Sequence, residues 1–443
     1  MENPSKKIVL LSPPFYSHFQ PLKTLGRALR SLGAQVSIAC SESFRKEIQE
    51  GGMGFYPLNI NKNQNTGIAK NTQQNSKEKN RLEEFFQATY KGPVNTLITQ
   101  ADHRIMDMFS NPQELIYSIQ QLYQSVKPDL VIVDQLSYGA TLALVGLEIP
   151  FITFCPPHPG TIQTEGTKGL TEFWPTGLEP EEQEKKELRQ KQQELRTSFS
   201  KAFKHVFKAN FPRGKLAENF LNNPFSLTSP KGVVYNYPNF SHRTSKASSE
   251  SPDSHYLHYC FEPEELEGPL KSQLLKEAGR KVLISFGTFL SERRDVIEVL
   301  MQSFLEHKDS WHIYVATGGN EKFFRKFSSE SITRASFLPQ KALLPHMDVV
   351  VHHGGTNTFT ETLYYGKPMI IFPFSSDQFA VAYDAEKNRI GEVLDPNTVT
   401  KEKLYRALGR LDTKEVRKNL IYWQEKSREN GPIKGAQWII NQL

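Results

Sequence analysis

The residues best placed to do chemistry lie between positions 349 and 378. Residues 349–351 predict a buried strand, two histidines and two glycines follow it, and a helix is predicted to begin near Thr356. Two glycines between a strand and a helix allow close backbone approach to a ligand. The helix N-terminus offers free N–H groups and a partial positive charge. The pattern therefore predicts a site for a diphosphate.

Polar side chains extend this site along the predicted helix and to the end of the next strand. Asn357 and Thr358 are suited to hydrogen-bonding phosphate oxygens, and Glu361, one helical turn further on, is suited to ribose hydroxyls. An acidic-amide pair, Asp377 and Gln378, follows another predicted strand and suits the hydroxyls of a hexose. A lone His-Gly-Gly is weak evidence, but the spaced set predicts a site for a nucleotide-activated sugar.

The same segment resembles the donor-binding signature of family 1 UDP-glycosyltransferases, the GT-B-fold enzymes that include plant natural-product transferases and bacterial macrolide transferases. The family pattern is W-x-P-Q, then H-C-G-W-N-S-x-x-E, then G-x-P, P and D/E-Q. The matching residues here are Phe337-Leu338-Pro339-Gln340, His353-Gly354-Gly355-Thr356-Asn357-Thr358, Glu361, Gly366, Pro368, Pro373 and Asp377-Gln378. From the histidine onward the register matches the plant signature without a gap.

The resemblance implies a role for each polar residue of the donor site. It implies that Phe337 and Gln340 recognise the base, and that Glu361 binds the ribose. It implies a diphosphate site formed by Thr288, His353, Gly355, Asn357 and Thr358, and a sugar site formed by Asp377 and Gln378.

The segment also departs from the plant pattern in three ways. Phe337 replaces the base-stacking tryptophan, His-Gly-Gly-Thr replaces H-C-G-W and looks bacterial, and the spacing from Phe337 to His353 is two residues shorter.

A candidate catalytic pair comes from the first half of the chain. His18 and Pro21 match the family's G-H-x-x-P motif, with Ser17 in place of the glycine, between a predicted first strand and a helix predicted over residues 22–32. The resemblance implies that His18 is the general base, because imidazole can take the proton of a hydroxyl acceptor near neutral pH. Asp134 follows the apolar strand of residues 130–133 and is the candidate that orients the imidazole. Capping a helix remains the alternative role for Asp134.

The resemblance implies inverting transfer of a hexose, with glucose as the default, from a UDP-sugar to a hydroxyl of a small apolar or aromatic acceptor. We expect no metal, because the helix N-terminus can stabilise the leaving diphosphate, and no cofactor beyond the donor substrate. Aromatic residues of the first half suggest the acceptor's character, with core packing as the alternative: Phe85, Phe86, Tyr90, Phe173 and Trp174.

Alternating strands and helices in both halves predict an α/β fold of GT-B type, with two doubly wound, Rossmann-like domains facing across a cleft. We expect an N-terminal acceptor-binding domain at 1–240, with a polar loop at 61–80 and a variable helical region at 160–225. A linker is expected at 241–270, and a nucleotide-sugar-binding domain at 271–425. A C-terminal helix at 426–443 is expected to cross back to the N-terminal domain.

Composition limits the setting in which the protein works. The formal charge of +6 among 443 residues is too small and dispersed to indicate nucleic-acid binding. Three widely separated cysteines offer neither a disulfide framework nor a zinc site, which favours a reducing compartment. No run is long enough for a signal peptide core or a membrane helix, so we expect a cytoplasmic protein, monomeric or homodimeric.

A basic, phenylalanine-rich helix is predicted at 198–212, and its aromatic face has three possible roles. Phe199, Phe203, Phe207 and Phe211 recur every four residues with lysines on the other faces. The stripe can pack on its own domain, wall an apolar acceptor pocket or contact a membrane surface. The last would make the protein a membrane-associated lipid or sterol glycosyltransferase. A non-catalytic sugar-nucleotide-binding subunit is the other alternative, which His18 and Asp134 argue against.

Overall fold

The computed structural model describes residues 5–61, 76–107, 111–163, 169–240, 253–307 and 310–443. Within them the chain forms two parallel sheets, each flanked by helices, so the predicted two-domain α/β fold is confirmed. The side chains of residues 76–78, 105–107 and 288–289 lie outside this description.

The N-terminal domain is built on the first sheet. Its strands are β1 (Lys7–Leu11), β2 (Gln35–Cys40), β3 (Gly54–Pro57), β4 (Leu130–Asp134), β5 (Phe151–Cys155), β6 (Val233–Tyr235) and β7 (Ser254–Tyr256). They pair in parallel in the order β3-β2-β1-β4-β5-β6-β7. Its helices are α1 (Tyr16–Ser31), α2 (Arg45–Glu50), α3 (Ser76–Lys91), α4 (Pro93–Asp107), α5 (Pro112–Val126), α6 (Tyr138–Gly146), α7 (Glu182–Asn210) and α8 (Glu218–Asn222).

The C-terminal domain repeats this plan. Its strands are β8 (Arg280–Ser285), β9 (Trp311–Ala316), β10 (Ile332–Ala335), β11 (Val349–His352), β12 (Met369–Ile371) and β13 (Gly391–Val393). They pair in parallel in the order β10-β9-β8-β11-β12-β13, the doubly wound order 3-2-1-4-5-6. The remaining helices are α9 (Gly268–Leu274), α10 (Gly287–Leu290), α11 (Arg294–Leu305), α12 (Glu321–Phe324), α13 (Gln340–Leu343), α14 (Thr356–Tyr364), α15 (Gln378–Lys387), α16 (Lys401–Leu411), α17 (Lys414–Arg428) and α18 (Pro432–Ile440).

Several element boundaries differ from the sequence predictions. Helix α1 begins at Tyr16, six positions before the predicted start, because Pro21 is tolerated inside its second turn. The predicted loop 61–80 is helical from Ser76 onward, and its residues 62–75 lie outside the described residues. Strand β7 joins the first sheet from within the expected linker 241–270, of which residues 241–252 are outside the description.

The aromatic stripe of α7 is buried in the core of the N-terminal domain. Phe199, Phe203 and Phe207 pack with residues of α5, α6 and the first sheet, and Phe211 packs against the same cluster. The stripe is therefore part of the domain's own core, which was the first of the three interpretations. Among the residues described, no helix is both long and apolar enough to cross a membrane.

The two domains touch through polar as well as apolar contacts. Helix α18 returns to the N-terminal domain, where it packs against α1 and β7. Arg293 of the C-terminal domain is fully buried and donates to the Thr89 carbonyl of α3 at 3.3 Å and to the Asn397 side chain at 2.8 Å. Its guanidinium also lies 4.2 Å from the ring centroid of Tyr90. These contacts hold the cleft between the sheets in a defined geometry.

Replacing Phe203 with alanine is expected to lower the free energy of unfolding by about 3–5 kcal/mol, because it removes a fully buried ring and leaves a cavity. Chemical denaturation of Phe203→Ala and of Lys201→Ala, an exposed position on the same helix, measures the effect. The lysine variant should stay within about 0.5 kcal/mol of the parent. A similar small loss in both variants would show that the stripe does not stabilise the domain.

Candidate active site

His18 and Asp134 meet at the carboxyl end of the first sheet. His18 lies in the first turn of α1, and its Nδ1 is 2.9 Å from Oδ2 of Asp134, the last residue of β4. The second carboxylate oxygen accepts the Leu136 N–H at 2.9 Å, so both oxygens of Asp134 are engaged. Burial lowers the pKa of His18, but the Asp134 carboxylate and its hydrogen bond outweigh burial and raise it above the ordinary value. The contact leaves the imidazole Nε2 as the nitrogen that can accept a proton.

A hydrogen bond across the cleft joins this turn to the donor segment. Pro21 has no N–H, so the Ser17 carbonyl, four residues earlier, lacks its usual helical partner. The Asn357 side chain donates to that carbonyl at 2.8 Å. Asn236, which follows β6, donates to the Asn357 side-chain oxygen at 3.2 Å. Asn357, at the start of α14, therefore contacts the residue that immediately precedes His18.

The turn between β11 and α14 has the glycine-dependent geometry expected of a phosphate-binding loop. Gly354 has φ of 88°, and a Cβ there would lie 3.1 Å from the Gln378 carbonyl. A Cβ at Gly355 would lie 2.6 Å from Nε2 of His353. The first helical bond of α14 runs from the Phe359 N–H to the Gly355 carbonyl, so the amides of residues 356–358 remain outside the helical ladder. Both glycines permit a close approach to these amides.

His353 is buried beside this turn. Burial lowers its pKa to about 4, partly offset by a hydrogen bond to the Ser285 backbone. Within the described residues its Nδ1 has no hydrogen-bond partner. A neutral histidine with one unsatisfied ring nitrogen can hydrogen-bond a phosphate oxygen.

Three of the predicted donor residues form a cluster one turn along α14. The Gln340 amide donates to Oε2 of Glu361 at 2.7 Å and to Oγ1 of Thr358 at 3.2 Å. Burial raises the pKa of Glu361 to about 7, although the Gln340 hydrogen bond acts in the opposite direction. Near neutral pH this carboxyl group is therefore balanced between its charged and neutral forms.

The acidic-amide pair is placed at the start of α15. Asp377 accepts from the Thr356 hydroxyl at 3.1 Å and from the backbone N–H of His158, in the N-terminal domain, at 3.0 Å. Gln378 uses its side-chain oxygen to accept the backbone amides of residues 374 and 375. The carboxylate thus faces the cleft, whereas the glutamine oxygen holds the loop that precedes it.

The remaining predicted donor residues lie at the edge of the site. Phe337 is 69% exposed, immediately before the buried Leu338, so its ring is open for stacking. Thr288 lies in α10 after β8, but its side chain is outside the described part of the chain. The structure therefore brings together the residues predicted to bind the diphosphate, the ribose and the sugar. Phe337, predicted to stack on the nucleotide base, lies at the rim of the site.

Sequence reasoning missed polar residues that the N-terminal domain contributes. Asn236 contacts Asn357, and the His158 backbone contacts Asp377. The His158 imidazole is fully buried and hydrogen-bonds Asp384 of α15 at 3.0 Å. Both residues follow strands of the first sheet, β6 and β5, so the rule that ligands bind at carboxyl ends of parallel strands could have identified them.

The aromatic residues suggested for acceptor binding pack mainly against the C-terminal domain. Phe173 contacts Tyr383 at 5.6 Å and Trp174 contacts Phe379 at 5.3 Å between ring centroids, both on α15. Phe85 packs against the C-terminal core. These rings stabilise the interface of the two domains, so the alternative of structural packing describes them better.

Comparison with known proteins agrees with this arrangement. Residues 291–437 match the glycosyltransferase family 28 C-terminal domain. The demethyllactenocin mycarosyltransferase of Streptomyces fradiae is 32% identical over 167 residues, which are 37% of this chain and about a third (36%) of that protein's length. The NDP-glycosyltransferase YjiC of Bacillus licheniformis is 23% identical over 92% of this chain and 89% of its own. The crystal structure of the glycotransferase of kitacinnamycin has a TM-score of 0.67, 18% identity and complete (100%) coverage of both chains.

These similarities bear on different parts of the chain. The domain match covers the diphosphate turn and the acidic-amide pair, the Bacillus relative extends the similarity over both domains, and the solved structure shares the fold. The chain therefore carries a glycosyltransferase family 28 C-terminal domain at residues 291–437, and it shares its overall fold with a solved glycosyltransferase.

Proposed function

We propose that this glycosyltransferase moves a hexose, with glucose as the expected sugar, from a UDP-sugar to a hydroxyl of a small apolar or aromatic acceptor. His18 acts as general base and Asp134 orients it. The reaction inverts the anomeric carbon and needs no metal. Competition between UDP and thymidine diphosphate for the free protein would test the choice of nucleotide.

One observation carries this proposal: the hydrogen bond of 2.8 Å between the Asn357 side chain and the Ser17 carbonyl. It joins the amide-rich start of α14, suited to a diphosphate, to the turn that holds His18. A base and a leaving-group site this close together suit direct displacement, in which acceptor and diphosphate lie on opposite sides of one carbon. A protein that only bound sugar nucleotides would have no need of the histidine-aspartate pair.

The proposed chemistry follows from these contacts. The acceptor hydroxyl gives its proton to Nε2 of His18 as its oxygen bonds to the anomeric carbon, and the bond from that carbon to the diphosphate breaks. Asp134 holds Nδ1 and stabilises the imidazolium that forms. The amides of residues 356–358 and the positive end of α14 stabilise the departing diphosphate. Asp377 is suited to binding the sugar hydroxyls.

A lipid or sterol acceptor at a membrane is less well supported. The phenylalanine stripe that motivated it is buried, with Phe203 fully covered and Phe199 and Phe207 each 3% exposed. We therefore keep the small-molecule acceptor as the proposal.

Replacing His18 with alanine is expected to reduce turnover by about 10²- to 10⁴-fold, because the acceptor then loses its general base. UDP affinity should be unchanged, since His18 does not contact the nucleotide in this proposal. Product formation by mass spectrometry and UDP binding by calorimetry measure the two effects. In the parent protein, kcat should rise with pH up to a pKa above about 6.5, because the base must be neutral. Full turnover by His18→Ala would refute the assignment of the base.

Treatment with EDTA is expected to leave turnover unchanged, because α14 rather than a metal ion stabilises the leaving group in this mechanism. As the control, turnover is measured again after magnesium is added to the EDTA-treated protein. Activity that disappears with EDTA and returns with magnesium would contradict the proposal of metal independence.

Affinity for UDP-glucose is expected to rise with pH through about 7, the value to which burial raises the pKa of Glu361. The ionised carboxylate accepts hydrogen bonds from ribose hydroxyls, and the ionised fraction increases above that pKa. Below it the carboxyl group is neutral and the affinity falls. UDP-glucose is the appropriate ligand because its diphosphate does not titrate in this range.

Calorimetry of the parent and of Glu361→Gln across this range isolates the carboxylate. The glutamine variant keeps the size of the side chain and should bind more weakly, with a flatter pH profile. An identical pH profile in both proteins would show that Glu361 does not bind the ribose.

A further inference from the structure

A cavity in the N-terminal domain reaches from α6, the helix that follows Asp134, to the loop that precedes Asp377. It is lined by Leu97, Gln100, Ala101, Arg104, Tyr138, Thr161, Gln163, Leu170, Thr171, Gln192, Leu195, Phe225 and Ser376. Tyr138 is four residues beyond Asp134, and Ser376 precedes Asp377. The Gln100 side chain accepts the Ser376 N–H at 2.9 Å. Ser376 has φ of 55°, so this contact fixes a strained residue next to the proposed sugar-binding carboxylate.

The lining combines apolar side chains with polar groups and contains one full charge. The apolar side chains are leucine, alanine, phenylalanine and tyrosine, and the charged residue is Arg104 of α4. Among the described residues that line the cavity there is no aspartate or glutamate. The cavity therefore combines a positive charge with apolar surface suited to a small aromatic molecule.

Among the residues whose side chains the structure describes, no carboxylate lies within ion-pair distance of Arg104. The nearby acidic residues have other partners, since Asp102 pairs with Lys191 at 3.0 Å and Glu84 pairs with His103 at 3.0 Å. Arg104 lines the cavity together with Tyr138, and its positive charge acts against the effect of burial on the pKa of that tyrosine.

Two polar groups around the cavity also lack partners. Thr161 lines it and is only 8% exposed, yet within the described residues its Oγ1 has no hydrogen-bond partner. Arg196 donates to the lining residue Gln163 at 3.1 Å, while its Nε is buried and has no partner in the described part of the chain. Buried polar atoms left unpaired are costly, and a ligand bound in the cavity would give the Thr161 hydroxyl a partner.

We propose that this cavity binds the acceptor and that Arg104 selects acceptors carrying an anionic group. The inference rests on the proposed transferase function and adds the chemical class of its second substrate. A guanidinium group matches a carboxylate through two parallel hydrogen bonds, and an apolar ring would contact the apolar side chains of the lining. Thr161, which also lines the cavity, supplies a further hydrogen bond.

The test compares para-hydroxycinnamate with its methyl ester, which keeps the ring and the hydroxyl but removes the charge. At neutral pH with saturating UDP-glucose, the parent should show a kcat/KM about tenfold higher for the acid, as expected for a charge-assisted hydrogen bond. Arg104→Gln should remove this preference. Arg189→Gln, an exposed arginine on α7 that pairs with Glu182, should retain it and serves as the matched control.

Calorimetry with para-hydroxycinnamate alone separates this inference from the proposed function. Binding that weakens in Arg104→Gln but not in Arg189→Gln supports the anion site, even if transfer to every acceptor fails and the proposed function falls. Transfer to the ester as efficient as to the acid overturns the anion site and leaves the transferase function standing. A preference for the acid that survives in Arg104→Gln overturns the assignment to this arginine.

Discussion

The arrangement of the cleft depends on one hydrogen bond, from the Asn357 side chain to the Ser17 carbonyl. Pro21 makes it possible, because a proline inside α1 withholds the amide that would otherwise occupy that carbonyl. The Asn357 side chain of the C-terminal domain donates to this carbonyl, which has no donor from within α1. The turn that carries His18 and the start of α14 are thereby held together although they belong to different domains.

Other contacts across the cleft reinforce this one. Arg293 binds the end of α3, the Ser376 amide binds Gln100, and Asp377 accepts the His158 backbone amide. Each of these bonds joins the C-terminal domain to the N-terminal domain. The bond between Ser376 and Gln100 joins two residues that line the cavity of the N-terminal domain, so the loop before Asp377 also forms part of that cavity.

Buried titratable side chains on the two sides of the cleft have different surroundings. Asp134 is fully buried, and its two carboxylate oxygens are engaged by the His18 imidazole and the Leu136 N–H. Glu361 has one amide partner, and burial raises its pKa to about 7. His353 is kept neutral by burial. On the N-terminal side a carboxylate is therefore paired with His18, whereas the C-terminal side combines the neutral His353 with the carboxyl groups of Glu361 and Asp377.

The sequence by itself determined the fold class and the local motifs. Short apolar runs predicted most of the strands, and the two glycines before α14 predicted a turn suited to phosphate. Both signals depend on residues that are close together in the chain. The proximity of His18 and Asp134, 116 positions apart, was predicted only as a family expectation, and the structure gives its distance of 2.9 Å. The tertiary structure alone decided that the α7 phenylalanines are core residues and that Gln378 holds its own loop. It also decided that Arg104 lines a cavity in which none of the described lining residues is an aspartate or glutamate. These properties depend on which surfaces meet when the two domains pack, and no local pattern encodes that.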